Sequence, residues 1–230
     1  MKIDVLPDAD AVALRAAKFI ADAARDAIAA RGTFAFAVSG GRTPWQMLRV
    51  LGALAMPWES THLFQVDERV APHGGADRNL THIAESLLSH VTLAPGHLHP
   101  MPVEVLDLAA GGADYARDLA AITGMPPVLD LVHLGLGPDG HTASLLPNDP
   151  VLEETRAAVA LAGPYQGHRR MTLTFPVLDR ARCVLWVVTG SEKVTMLARL
   201  AKGDRSIPAG RVNSERAVIL ADAAAAAGLH

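Results

Sequence analysis

The sequence predicts an α/β fold of Rossmann-like type: a mostly parallel central sheet with helices on both faces. Three observations carry this. Alanine-rich segments with helical spacing alternate along the chain with short β-branched or apolar runs. Those runs are continuously apolar, as strands buried on both faces must be. Several end in glycine just before a helix start.

The elements follow in order. Asp8 or Asp10 caps a first helix that reaches about Ala30 and is closed by Gly32. Residues 33–38 read as a buried strand. Pro44 suits the first turn of the next helix, to about Met56, because proline there forfeits no intrahelical bond. Residues 62–66 form a second strand, 79–90 a helix, 111–123 another helix and 128–134 a central strand. The glycine turn after that strand leads into a short helix. Residues 157–161 and 171–175 are strand candidates, with a small antiparallel edge left open for them. Residues 182–189 form a strongly apolar strand, followed by a helix from Ser191 to about Lys202. Residues 217–221 are the last strand, and the alanine tail forms a terminal helix. No linker rich in Gly, Ser or Pro divides the chain and no fixed-period repeat runs through it, so one domain over 1–230 is expected.

Composition narrows the function. With 50% hydrophobic residues and a net charge of −3, the chain offers no overall attraction for nucleic acid or an anionic membrane. Cys183 is the only cysteine, which rules out an internal disulfide and reads as a buried, inert thiol. Residues 1–4 carry no signal-peptide pattern, and no apolar run is long enough to span a bilayer. The expectation is a cytoplasmic protein, monomer or weak homo-oligomer, with no nucleic-acid or membrane partner.

Four strand ends carry chemistry. Ser39-Gly40-Gly41-Arg42-Thr43-Pro44 lies between a strand and a helix; its glycines free backbone N–H groups, its hydroxyls donate, and the helix start adds positive potential. That makes a phosphate cradle, although a tight turn with a capping hydroxyl is the plainer alternative. The stretch lacks the Walker A ending and the dinucleotide glycine spacing. Asp67-Glu68-Arg69 follows the second strand: Arg69 can fork onto a phosphate, and Asp67 can accept a proton or a hydroxyl. Taken alone, such a charged triplet is ordinary solvated surface, but its place at the carboxyl edge of the sheet shifts the balance toward a ligand role. Gly137-Pro138-Asp139-Gly140-His141 delivers an imidazole, whose ordinary titration near neutrality suits a general base, with Asp139 able to orient it. Thr189-Gly190-Ser191-Glu192-Lys193 sets a cation in a first helical turn, where only a bound anion makes it favourable. Arg169-Arg170 precedes a strand and reads equally as a charged strand entrance or a ligand contact. His62, His82, His90, His133 and His168 read as structural. His97 and His99 alternate but lack a third metal ligand, so they read as loop residues and no metal is expected. Glycines, cations and an acid–base pair at one sheet edge suit a small phosphorylated metabolite.

The chain resembles the 6-phosphogluconolactonases. The resemblance spans nearly its whole length, through Ser39–Pro44, Asp67-Glu68-Arg69, Gly135 through Pro147, Arg170-Met171-Thr172-Leu173-Thr174, Gly190 with Lys193, and Pro208-Ala209. It implies the fold shared with glucosamine-6-phosphate deaminase, and hydrolysis of 6-phospho-D-glucono-1,5-lactone without metal or cofactor. His141 would be the base, supported by Asp139 or Asp67. Ser39, Gly40, Gly41, Arg42, Thr43, Arg69, Arg170 and Lys193 would hold the phosphosugar. Two stretches depart from the family pattern: Asp77-Arg78-Asn79 stands where Asp-Ser-Asn is usual, and residues 163–168 replace a lysine- and proline-rich loop. Two rivals remain. The deaminases carry a catalytic Glu where this chain has Leu146, and a sugar-phosphate sensor would carry a DNA-binding segment.

Overall fold

The structure, a computed structural model, describes residues 1–229. Lys2–Leu6 forms β1. Asp8 caps α1 (Ala9–Arg31) by accepting the Ala11 N–H at 2.8 Å, and Gly32, at φ 82°, closes it. There follow β2 (Phe34–Val38), α2 (Arg42–Gly52), β3 (Thr61–Gln65), β4 (Asp67–Arg69), α3 (Asn79–Ile83), β5 (Leu98–His99), α4 (Leu108–Thr123) and β6 (Leu131–Leu134). The second half holds β7 (Val159–Tyr165), β8 (His168–Leu173), α5 (Phe175–Leu178), β9 (Val184–Val188), α6 (Val194–Ala201), α7 (Pro208–Arg211) and β10 (Ala217–Asp222).

The expected α/β fold is observed. Among the described residues, one sheet has the order β1-β10-β9-β6-β2-β3-β5 with every neighbouring pair parallel. Side chains alternate across it, and this explains the continuous apolar runs. In β2, Phe34, Phe36 and Val38 pack with α1 and α2, while Ala35 and Ala37 face the opposite layer. In β9, Val184, Trp186 and Val188 join that opposite layer with Leu119 of α4 and Leu197 of α6. From β2 the chain winds outward to β3, whereas from β6 it winds the other way to β9. The crevice beyond the carboxyl ends of β2 and β6 is therefore the switch point at which such sheets bind ligands.

Several expectations need correction. The triplet Asp67-Glu68-Arg69, read as the exit of a strand, is itself a strand, β4, and it joins β7 and β8, where a small antiparallel edge was foreseen, in a second sheet of the order β4-β8-β7. Residues 163–168 are not a loop but the end of the β7–β8 hairpin. Gln166 and Gly167 both have positive φ, 51° and 83°, which matches the twist of the flanking strands. β1 was not foreseen, because Lys2 and Asp4 interrupt it; an edge strand has one open side and tolerates both. The helix expected over 79–90 is α3 followed by a π-helical turn, Ala84–Leu88. The alanine tail makes only a short 3₁₀ turn, Ala225–Gly228. His99 lies in β5 and is buried: its Nδ1 donates to the Asp118 carboxylate at 2.6 Å, its Nε2 pairs with His62 Nδ1 at 3.0 Å, and the ring stacks on Phe64.

Candidate active site

The switch-point crevice holds a cleft of about 220 Å³ lined by Ser39, Gly40 and Gly41 after β2, Gly135 to Pro138 and His141 after β6, and Asp67, Arg69, Arg170 and Lys193. The short helix expected after the Asp-Gly-His turn does not form. Residues 137–146 fold back instead: the Gly137 N–H donates to the His141 carbonyl at 2.8 Å and Ala143 adopts φ 50°. The turn is braced from behind, where the Ala209 N–H of α7 donates to the Gly140 carbonyl at 2.9 Å.

That turn sets Asp139 against His141. The Asp139 Oδ1 lies 2.5 Å from His141 Nδ1 and also accepts the His141 backbone N–H at 3.1 Å. Burial alone would raise the Asp139 carboxyl, but the imidazole's charge and the bonds from His141 outweigh it and hold the group below its usual range. A carboxylate bonded at Nδ1 leaves Nε2 as the lone-pair nitrogen. The Tyr165 ring packs edge-on to the imidazole with centroids 5.2 Å apart, and the Arg170 guanidinium sits 5.0 Å above the Tyr165 ring. The hairpin end thus roofs the dyad.

Asp67 is placed elsewhere. Its Oδ2 accepts the Ser144 hydroxyl at 2.7 Å and lies 4.0 Å from the Arg170 Nη1. Burial pushes its carboxyl above the usual range, against the lowering effects of the Ser144 bond and the Arg170 charge. Ser39 Oγ, Arg69 Nε and Arg170 Nε are buried without hydrogen-bond partners in the protein. The site thus carries donors left for a ligand, and its nearby cations outweigh the single buried Asp67.

Arg42 and Thr43 are not brought to His141. They line an adjoining cavity of about 460 Å³ with Gln46, Thr189, Glu192 and Asp222, which shares Gly40, Gly41, Gly135, Leu136 and Lys193 with the first. Thr43 Oγ1 pairs with Thr189 Oγ1 at 2.7 Å, tying two of the strand ends together. Sequence reasoning missed Ser144 and Asn79 as site residues. Ser144 carried no signal beyond its place after the His, and Asn79 stood only as the last residue of a departing motif. Among the described residues no three of His, Cys, Asp and Glu are grouped to hold a metal ion, and no helix is long and apolar enough to cross a membrane.

His133, read as merely structural, lies beneath the cradle. It is fully buried, and its Nδ1 accepts the Ser39 backbone N–H at 3.3 Å. Burial lowers its pKa to about 3, so the folded chain keeps it neutral where an unfolded histidine, titrating near 6.5, takes up a proton. A lowered histidine stabilises the fold fully above about pH 6.5, and that stability drains as the pH falls toward 3, by up to about 1.4 kcal/mol per unit. His62, lowered to about 4 chiefly by burial, titrates in the same direction. Urea midpoints measured from pH 7 to pH 4 will therefore fall more steeply for the natural chain than for His133→Asn, which keeps an acceptor without the titration. Equal slopes would refute this account of His133.

Comparison with known proteins points the same way. The model of the family glucosamine-6-phosphate isomerases/6-phosphogluconolactonase matches residues 7–220. A 6-phosphogluconolactonase of Mycobacterium tuberculosis is 37% identical over 241 residues, covering 99% of this chain and 98% of the relative. One from Synechocystis is 34% identical over 203 residues, covering 86% and 84%. The crystal structure of a 6-phosphogluconolactonase from Thermotoga maritima superposes with a TM-score of 0.86 at 26% identity, covering 96% of this chain and 98% of that one. A monomeric glucosamine-6-phosphate deaminase reaches a TM-score of 0.85 at 16% identity over 99% and 100% of the two chains, a likeness of fold alone.

Proposed function

Because this chain belongs to the glucosamine-6-phosphate isomerase/6-phosphogluconolactonase family, we propose that it hydrolyses 6-phospho-D-glucono-1,5-lactone to 6-phospho-D-gluconate, a step of the oxidative pentose phosphate pathway. The observation that carries this reading is the Asp139–His141 dyad opening into a cleft that also holds a glycine turn and three cations. A lactone is an ester: its hydrolysis needs a base for water, charge stabilisation for the tetrahedral intermediate and an acid for the leaving oxygen.

His141 Nε2 takes a proton from water as the water oxygen attacks the lactone carbonyl. The carbonyl electrons move onto its oxygen, which Arg170 or Arg69 stabilises. Collapse of this intermediate breaks the bond from C1 to the ring oxygen, and the imidazolium returns its proton to that oxygen. Asp139 holds the ring with Nε2 toward the water and stabilises its transient charge. Ser39, Gly40, Gly41 and Lys193 anchor the phosphate, and such anchoring turns remote binding energy into alignment at the carbonyl. Leu146, buried and apolar, stands where the deaminase reaction uses a carboxylate and has no proton to transfer, which favours the lactonase within the family. Arg42 and Thr43 belong to the rim of this anchor.

The test is turnover of freshly made lactone, coupled to 6-phosphogluconate dehydrogenase. Product will appear far faster than by spontaneous opening. A rate equal to the uncatalysed one, with tight 6-phosphogluconate binding, would make the chain a sensor instead.

A further inference from the structure

The phosphate cradle follows β2 of the large sheet, whereas Asp67 and Arg69 stand on β4 of the small one. A ligand that touches both depends on the gap between two sheets. Asn79, at the start of α3, is wedged into that gap and is 2% exposed. Its Nδ2 donates to the Asp67 carbonyl at 3.0 Å. On the other side its Oδ1 has no hydrogen-bond partner and lies 1.9 Å from where a Cβ on Gly40 would be, with Cγ at 2.4 Å. Gly40 is not in the left-handed region, so conformational freedom is not what requires a glycine there. Space is.

Asn79 is pinned at its backbone. Its backbone N–H and that of Leu80 donate to the two oxygens of Glu68, each at 2.8 Å. Glu68 is fully buried and also accepts the Arg69 N–H and the Gln65 side-chain amide, both at 2.8 Å. The buried Arg78 guanidinium approaches it to 3.3 Å. A carboxylate held by so many donors is a fixed point, and removing one partner would strand the others. The departure at Arg78 thus belongs to this hub.

We propose that Asn79 is a positioning residue: anchored through Glu68, it sets the distance between Gly40 and Asp67, and so the fit of the substrate between cradle and cations. The proposal rests on the lactonase reading above and deepens it.

A double-mutant cycle tests it. Gly40→Ala pushes a methyl into Asn79 and raises KM for the lactone about 10-fold or more, while Asn79→Ala raises it severalfold by losing the brace. In the double variant the methyl has room, so its KM matches that of Asn79→Ala to within about twofold. The loss in Asn79→Ala falls more on KM than on kcat, because His141 stands on a different turn. A double variant whose KM is the product of the two single effects overturns the proposal, as does an Asn79→Ala enzyme with the natural KM. Urea midpoints of the four proteins separate structure from positioning: coupling in stability with none in KM makes Asn79 a strut only and also overturns it. If Gly40→Ala fails to fold, restored folding in the double variant is the expected rescue, and failure of both refutes the clash. Absence of turnover in the natural chain would sink the lactonase reading instead, while the midpoints would still report the wedge.

Discussion

Replacing His141 with alanine is expected to lower kcat for lactone hydrolysis by about 10²- to 10⁴-fold, the usual contribution of a positioned general base. The dissociation constant for 6-phosphogluconate should change little, since the proposed mechanism gives phosphate anchoring to the glycine turn and the cations. Two measurements decide the matter: turnover after subtraction of spontaneous opening, and product binding by calorimetry. A variant that turns over at more than a tenth of the natural rate would move the base elsewhere, with Asp67 the next group to test. Asp139→Asn separates the roles within the dyad. Its amide has no charge to stabilise an imidazolium and can present its N–H to Nδ1, which favours the wrong tautomer. Its loss should therefore fall on kcat as well.

Gly137→Ala is expected to cost about 100-fold in kcat although it replaces neither member of the dyad. The alanine Cβ would stand 2.2 Å from His141 Nδ1 and 2.3 Å from Cε1, far inside contact distance. Gly137 is not in the left-handed region, so the backbone accepts alanine and the imidazole is what must move. A displaced ring loses the 2.5 Å contact with Asp139 and its aim at the water, and an error of about 1 Å is enough for a loss of that size. Because the cradle is untouched, KM should stay near its natural value. Should kcat fall by less than threefold, the ring is not packed on Gly137 as tightly as the geometry demands.

These predictions differ in how much of their basis was legible beforehand. The roles proposed for His141 and Asp139 rest on residues two apart on one turn, and that proximity could be read from the sequence. The claim on Gly137 needed the fold-back of residues 137–146, where a short helix was expected. Asp67 was weighed beside Asp139 as the partner of His141. Its carboxylate is occupied by Ser144, a residue 77 positions away, and no spacing rule reaches that far. For the charged triplet Asp67-Glu68-Arg69, only its place at a strand exit argued against surface, and nothing local showed Glu68 to be a buried hub. Glu68 is buried only because Gln65, Arg69, Asn79 and Leu80 supply the donors that burial demands.

By itself the sequence determined the α/β class, the order of most strands and helices, and the turns that carry Ser39-Gly40-Gly41 and Asp139-Gly140-His141. These are local matters: apolar periodicity, glycine and proline punctuation, and helix caps act within a few residues. The tertiary structure alone decided that Asp67–Arg69 pairs with β8 outside the main sheet, that Tyr165 roofs the imidazole, and that Asn79 is wedged between Gly40 and Asp67. It also decided that His133 lies under Ser39, 94 residues away. Such contacts join distant parts of the chain, and they exist only once the core has closed and each buried polar group has found a partner.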